Sequence, residues 1–133
     1  MEVLSSRALL RPGSFDRTFN FYAECLGLHV YREWGSGRTR GAVFFLGGGF
    51  LEVSEEGEEP ASAAMQLWLQ VRNLNGVHRE LEAAGVPIVE APSVQPWGLM
   101  KMRIRDPDGV TLVIVEVPAD HPLRRRSELR GAS

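Results

Sequence analysis

Apolar positions along this chain follow a two-residue period, then a helical one, then the two-residue period again, and the whole order recurs. Residues 2–10 alternate, with Leu4, Ala8 and Leu10 on one side and Ser5, Arg7 and Leu9 on the other, which predicts a strand. Pro12-Gly13-Ser14 breaks it. Phe15, Phe19, Tyr22 and Leu26 then recur at helical spacing behind Ser14 or Asp16 as a cap. Gly27 supplies the left-handed residue that commonly ends a helix. Strand patterns follow at 28–34, 40–46 and 50–54, parted by turns at Gly35-Ser36-Gly37 and Gly47-Gly48-Gly49. An acidic stretch, 55–62, contains Pro60 and predicts a surface connection. Beyond it the order repeats: a strand at 65–71, then a helix carrying Leu74, Val77, Leu81 and Ala84 and ending at Gly85. Strands at 87–90, 99–105 and 110–117 complete the second half, and this weak duplication is the main architectural signal.

Side chains alternate across a strand, so parity sorts them into faces. Leu51 and Val53 meet the helix, leaving Phe50, Glu52 and Ser54 opposite. Leu67, Leu69 and Val71 leave Gln66, Trp68 and Gln70 opposite; Met100, Met102 and Ile104 leave Lys101, Arg103 and Arg105. The last strand is apolar on both faces, as expected where neither is wet. A face carrying Arg7, Glu52, Gln66, Trp68 and Arg103 is either a solvated sheet surface or a binding face with a few fixed polar groups. Parity alone favours the solvated surface.

Composition narrows the classes. The chain has 133 residues, 44% hydrophobic and 24% charged, as in one soluble globular domain. A net charge of −2 gives no concentrated basic face for nucleic acid. Arg124-Arg125-Arg126 lie in a stretch, 118–133, that reads as a basic, flexible tail. No apolar run approaches the ~20 residues that span a bilayer, and the N-terminus lacks a signal-peptide pattern. The single Cys25 excludes an internal disulfide, suits a reducing cytoplasm and reads as a buried structural thiol. His29 at a strand edge, His78 in the second helix and His121 in the tail read as surface or packing residues.

Several stretches carry a family resemblance by their order and spacing. They are Asp16…Phe21-Tyr22…Leu26-Gly27, Phe50-Leu51-Glu52-Val53, Pro96-Trp97-Gly98 and Asp106-Pro107-Asp108-Gly109. Together they resemble the vicinal oxygen chelate superfamily: the glyoxalases, bleomycin-resistance proteins and ring-cleaving dioxygenases. The resemblance implies an α+β domain over 1–117, built of two βαβββ modules (about 1–55 and 64–117). The modules form a cupped mixed sheet with helices on its outer face, which turns the second face inward around a ligand.

Metal-dependent members resembling glyoxalase I place ligands on the first, fourth, fifth and eighth strands. Those positions fall here at Arg7, Glu52, Gln66 and Val113. Only Glu52 fits: Arg does not deprotonate, Val has no donor atom, and an amide is weak for a transition metal. No metal and no cofactor is therefore expected. Arg7 and Glu52 are instead expected to form a buried ion pair with hydrogen bonds from Gln66. Alternatively, Arg7 with Lys101 or Arg103 receives a carboxylate or phosphate, while Phe50, Trp68 and Trp97 stack on a flat ring. Trp97 reads equally as a lid or a dimer contact, and Trp34 as core or interface. The ligand-binding set is then Arg7, Phe50, Glu52, Gln66, Trp68, Trp97, Lys101, Arg103 and Val113.

The leading reading is a metal-independent small-molecule binding protein resembling the bleomycin-resistance branch. It would bind an antibiotic or an aromatic or anionic metabolite as a cytoplasmic homodimer, without nucleic acid or membrane. The alternative is an enzyme, a glyoxalase-type isomerase or lyase or a dioxygenase. Either Glu52 is catalytic as a metal-free general base, its pKa raised if it is buried without Arg7, or metal ligands lie one or two positions from those counted. A structural or regulatory domain stays open as a third reading.

Overall fold

The computed structural model describes residues 1–120, so His121, the arginine cluster and most of the predicted tail lie outside the described residues. The chain divides into two units: Met1–Ser62 with Asp106–Val110, and Ala63–Arg105 with the chain from Thr111. In the first unit β1 (Arg7–Leu10), α1 (Phe15–Asn20), β2 (Val30–Trp34), β3 (Gly41–Leu46) and β4 (Gly49–Ser54) follow in order. Their sheet runs β1-β4-β3-β2, with β1 parallel to β4 and the other pairs antiparallel. The second unit holds β5 (Gln66–Val71), α2 (Leu74–Ala83), β6 (Ile88–Val94), β7 (Met100–Arg105) and β8 (Thr111–Glu116). Its sheet runs β5-β8-β7-β6 with the same pairing senses. Each unit is thus a βαβββ module with a mixed sheet, the α+β plan expected.

Parity placed Leu51, Val53, Met102 and Ile104 on the buried side correctly. In the first unit Ala42, Phe44, Leu51 and Val53 are fully buried, with Phe15 and Tyr22 from the helical segment. The Tyr22 and Phe44 ring centroids lie 6.1 Å apart. In the second, Leu74 and Leu81 of α2 are buried with Met102, Ile104, Leu112 and Ile114 of β7 and β8. Each such side chain withdrawn from water contributes roughly 1.5–3 kcal/mol, which is why the faces are so firmly sorted.

Several local expectations are corrected. β1 begins at Arg7, not residue 2, and Leu4 is exposed. Its partner β4 begins at Gly49, opposite the chain just before Arg7, so earlier residues have no strand to pair with. The first helix ends at Asn20 and continues as a π-helical turn, Phe21–Cys25, with Leu26 N–H donating to the Phe21 carbonyl at 3.0 Å. The wider turn shifts the buried stripe, so Phe21 and Tyr22 are both buried and Cys25 is only half-buried, not the buried thiol expected. β6 extends to Val94 through Pro92, which an edge strand tolerates where its register already slips, between Glu90 and Ser93.

The acidic connection is tied down. Arg11 donates to Glu55 at 3.1 Å and Glu59 at 3.0 Å, and Glu56 accepts the Phe15 N–H at the start of α1, at 2.8 Å. The Asp106-Pro107-Asp108-Gly109 turn belongs to the first unit for an equally local reason. Asp108 accepts from Thr18 Oγ1 at 2.6 Å and from the Gly13 N–H at 2.8 Å. Buried Asp106 accepts from Tyr22 Oη at 2.7 Å and from the N–H groups of Asp108 and Val110 at 2.8 and 2.9 Å. Burial pushes the Asp106 carboxyl up despite those bonds, and burial beside Asp106 pushes the Tyr22 phenol far up. Among the described residues no helix is long and apolar enough to cross a membrane.

Candidate functional site

On the face of the first sheet turned away from α1, Arg7 of β1 shares a side with Phe50, Glu52 and Ser54 of β4. Arg7 Nη1 donates to Glu52 Oε1 at 2.8 Å, and Ser54 Oγ donates to the other oxygen, Oε2, at 2.7 Å. The Arg7 guanidinium also lies 5.9 Å from the Phe50 ring centroid. Phe50 closes a triangle with Tyr31 and Phe45, the three centroid separations being 5.1, 5.4 and 5.8 Å. Tyr31 and Phe45 remain 53% and 46% exposed, an aromatic surface that this unit leaves uncovered.

The ion pair differs from the expected one in two respects. Its side chains are 38% and 15% exposed for Arg7 and Glu52, so it is half-buried. The additional hydrogen bond comes from Ser54, two residues along the same strand, rather than from Gln66, whose exposed side chain belongs to the second unit. The Ser54 hydroxyl, then Arg7 and Arg32, hold Glu52 below the usual carboxylate range against the cost of desolvation. Nearby, the Trp34 ring lies where a side chain on Gly41 would stand, a Cβ there falling 2.4 Å from the indole. Arg32 stacks over that ring at 5.1 Å, so Trp34 is a half-buried packing residue.

In the second unit the predicted residues fall into cross-strand rows on the face turned away from α2. Trp68 stands opposite Val113, Val113 opposite Arg103, and Arg103 opposite Glu90. The next row holds Gln70, Val115, Lys101 and Ser93; Gln66, Thr111 and Arg105 form a third. Trp68 is 54% exposed. Val113 is buried with Leu99, Val115 and Val117. Arg103 Nη1 reaches Glu90 at a long 3.4 Å, and its Nε is buried with no partner among the described residues. Trp97 sits apart in the exposed turn between β6 and β7, closed by the Gly98 N–H on the Gln95 carbonyl at 2.9 Å.

The structure therefore brings Arg7, Phe50 and Glu52 together in one unit and Gln66, Trp68, Lys101, Arg103 and Val113 onto one sheet face of the other. Tyr31, Phe45 and Ser54 complete the first cluster. The signal for Phe45 was the Gly47-Gly48 turn, which sets it opposite Phe50. Tyr31 lies at a register slip in β2, between Val30 and Arg32, which simple alternation does not anticipate.

The two modules repeat a geometric relation. Glu52 lies two residues beyond the β4 partner of Arg7, and Val113 two beyond the β8 partner of Gln66. These positions do not suit a divalent cation. Both Glu52 oxygens already accept hydrogen bonds, Arg7 is a cation, and Val113 offers no donor. Among the described residues no group of three or more His, Cys, Asp and Glu is arranged to hold a metal.

A duplicated βαβββ module, each copy with a mixed four-stranded sheet, defines a class. The sequence profile of the Glyoxalase/Bleomycin resistance protein/Dioxygenase superfamily matches residues 5–114, and the chain belongs to that superfamily. No curated protein matches it in sequence. Among solved structures, TioX from Micromonospora sp. ML1 is similar with a TM-score of 0.69 at 22% identity, covering 85% of this chain and 95% of that one. UcmS2 gives a TM-score of 0.73 at 21% identity, covering 86% and 98%. A superfamily member from Sphaerobacter thermophilus DSM 20745 gives 0.69 at 18% identity, covering 87% and 98%. At these identities the likeness is one of fold.

Proposed function

We propose that this protein binds a flat small molecule, an antibiotic or an aromatic or anionic metabolite, without a metal and without chemistry. One observation carries the reading. Glu52, on the face of the first sheet turned away from α1, is held ionised by Ser54 and Arg7, and Arg7 in turn lies 5.9 Å from Phe50 of the part-exposed aromatic triangle. A general base at neutral pH needs a proton affinity near that pH, and a carboxylate below its usual range moves the other way. A fixed guanidinium beside uncovered rings suits recognition of a planar ligand. The proposed ligand-binding residues are Arg7, Phe50, Glu52, Gln66, Trp68, Trp97, Lys101, Arg103 and Val113. The protein acts as a cytoplasmic homodimer in this reading, the assembly that superfamily membership suggests.

The test is thermal unfolding of the native protein with a panel of aromatic acids and polycyclic antibiotics. A ligand at 100 times its Kd stabilises by about 2.7 kcal/mol and raises Tm by several degrees. The reading expects at least one such ligand, with the shift reduced in Phe50→Ala. It fails if no aromatic compound binds, or if turnover is found that vanishes with Glu52→Gln.

A further inference from the structure

Three cations occupy one side of β7: Lys101, Arg103 and Arg105 alternate onto the face turned away from α2. Their neighbours on that face barely neutralise them. β8 contributes Thr111, Val113 and Val115, and β5 contributes Gln66, Trp68 and Gln70, none of them acidic. β6 contributes Glu90 alone, 3.4 Å from Arg103. The contrast with the first unit is direct, since Arg7 there is paired at 2.8 Å with a carboxylate that Ser54 also holds. Arg103 adds a second, independent observation: its Nε is withdrawn from solvent and has no acceptor among the described residues. Buried donors are seldom left so. The Nε–Nη edge of a guanidinium is the one that takes a carboxylate or phosphate by two parallel hydrogen bonds.

The geometry points to an anion site on the second unit, in which Arg103, flanked by Lys101 and Arg105, receives the carboxylate or phosphate of an aromatic ligand whose ring lies on Trp68. Trp68 is exposed and stands in the same cross-strand row, with Val113 between. Two strand spacings separate Trp68 from Arg103, about 10 Å. That is the reach of a fused ring system with an anionic substituent. The buried apolar Val113 forms a floor between the two, and the Gln66 and Gln70 amides flank the indole on its own strand. The inference rests on the binding reading above and adds to it the charge of the ligand and the residues that read it.

Two fluorescent dyes sharing one ring system test it with the native protein. Anilinonaphthalene sulfonate carries an oxyanion; phenylnaphthylamine is its neutral counterpart. The sulfonate is expected to bind at least ~10-fold more tightly, as two charge-assisted hydrogen bonds imply. Arg103→Gln and Lys101→Met should each remove most of that preference by weakening the sulfonate dye, and a cooperative thermal unfolding transition for each variant reports that it folds. Arg79→Met, which removes the same charge from an exposed position on α2, should leave the preference intact. Displacement of the dye by naphthoate and by naphthyl phosphate tells a carboxylate ligand from a phosphate one. Equal affinity for both dyes, or a preference that survives both β7 substitutions, overturns the anion site alone. If neither dye binds, the binding reading falls and the anion site falls with it.

Discussion

Ser54 and Arg7 donate to different oxygens of Glu52, and that division sets how the carboxylate titrates. Because Glu52 is held below its ordinary range, the two bonds stabilise the folded state in full above that range. Their contribution disappears as pH falls through the lowered value and the carboxyl takes a proton. Ser54→Ala removes the largest cause, so the Glu52 titration followed by NMR should move up toward an ordinary carboxylate, with about 1 kcal/mol lost at neutral pH. An unmoved titration would show that the hydroxyl does not set it. Parity had already placed Glu52 and Ser54 on one face. What it did not reveal was their bond, because the resemblance pointed to Gln66 as the partner while a hydroxyl two residues along the strand was nearer. The aromatic triangle was legible only in part: Phe50 follows from alternation, but Tyr31 reaches it through an irregularity in β2.

The helices differ in how openly the sequence declares them. For α2 the signals read from the sequence hold, apolar residues at helical spacing and Gly85 at φ 78° just past the end, and the structure adds Asn73 as the cap. Asn73 Oδ1 accepts the Gly76 N–H at 3.0 Å, and Glu116 of β8 accepts the Leu74 N–H at 2.9 Å, so two first-turn donors are satisfied. Asn73→Ala should cost about 1 kcal/mol in urea unfolding. A loss under a few tenths would mean that Glu116 holds the helix start by itself. The first helix was legible through the buried Tyr22 and in its end at Gly27, φ 68°, but not the π-helical turn between them, which breaks the 3.6-residue period that reveals helices. Strand ends failed for a different reason: pairing stops where the partner strand stops, and the first six residues give no sign of where β4 begins.

At the scale of the molecule, chain order and structural grouping part company at one place. The Asp106–Val110 segment lies between two strands of the second unit yet groups with the first, through Tyr22, Thr18 and Gly13. Tyr22→Phe removes one of three hydrogen bonds to a buried carboxylate, and equilibrium unfolding should lose about 1–3 kcal/mol. A neutral outcome would mean that the two backbone N–H bonds suffice. The duplication itself was legible in the sequence as a weak repeat, strand parity and helical spacing recurring in the same order. The division of charge between the modules was not, since a net −2 conceals an internally paired arginine in one unit and three barely neutralised cations in the other. In the proposed function the superfamily fold serves binding without a metal. That reading is tested most directly by calorimetric titration of chelator-treated protein with nickel, zinc, manganese and ferrous iron. Metal-free binding leaves no affinity tighter than the ~1 mM range, about 4 kcal/mol. Stoichiometric binding that is lost with Glu52→Ala would contradict it and move a glyoxalase-type enzyme to first place.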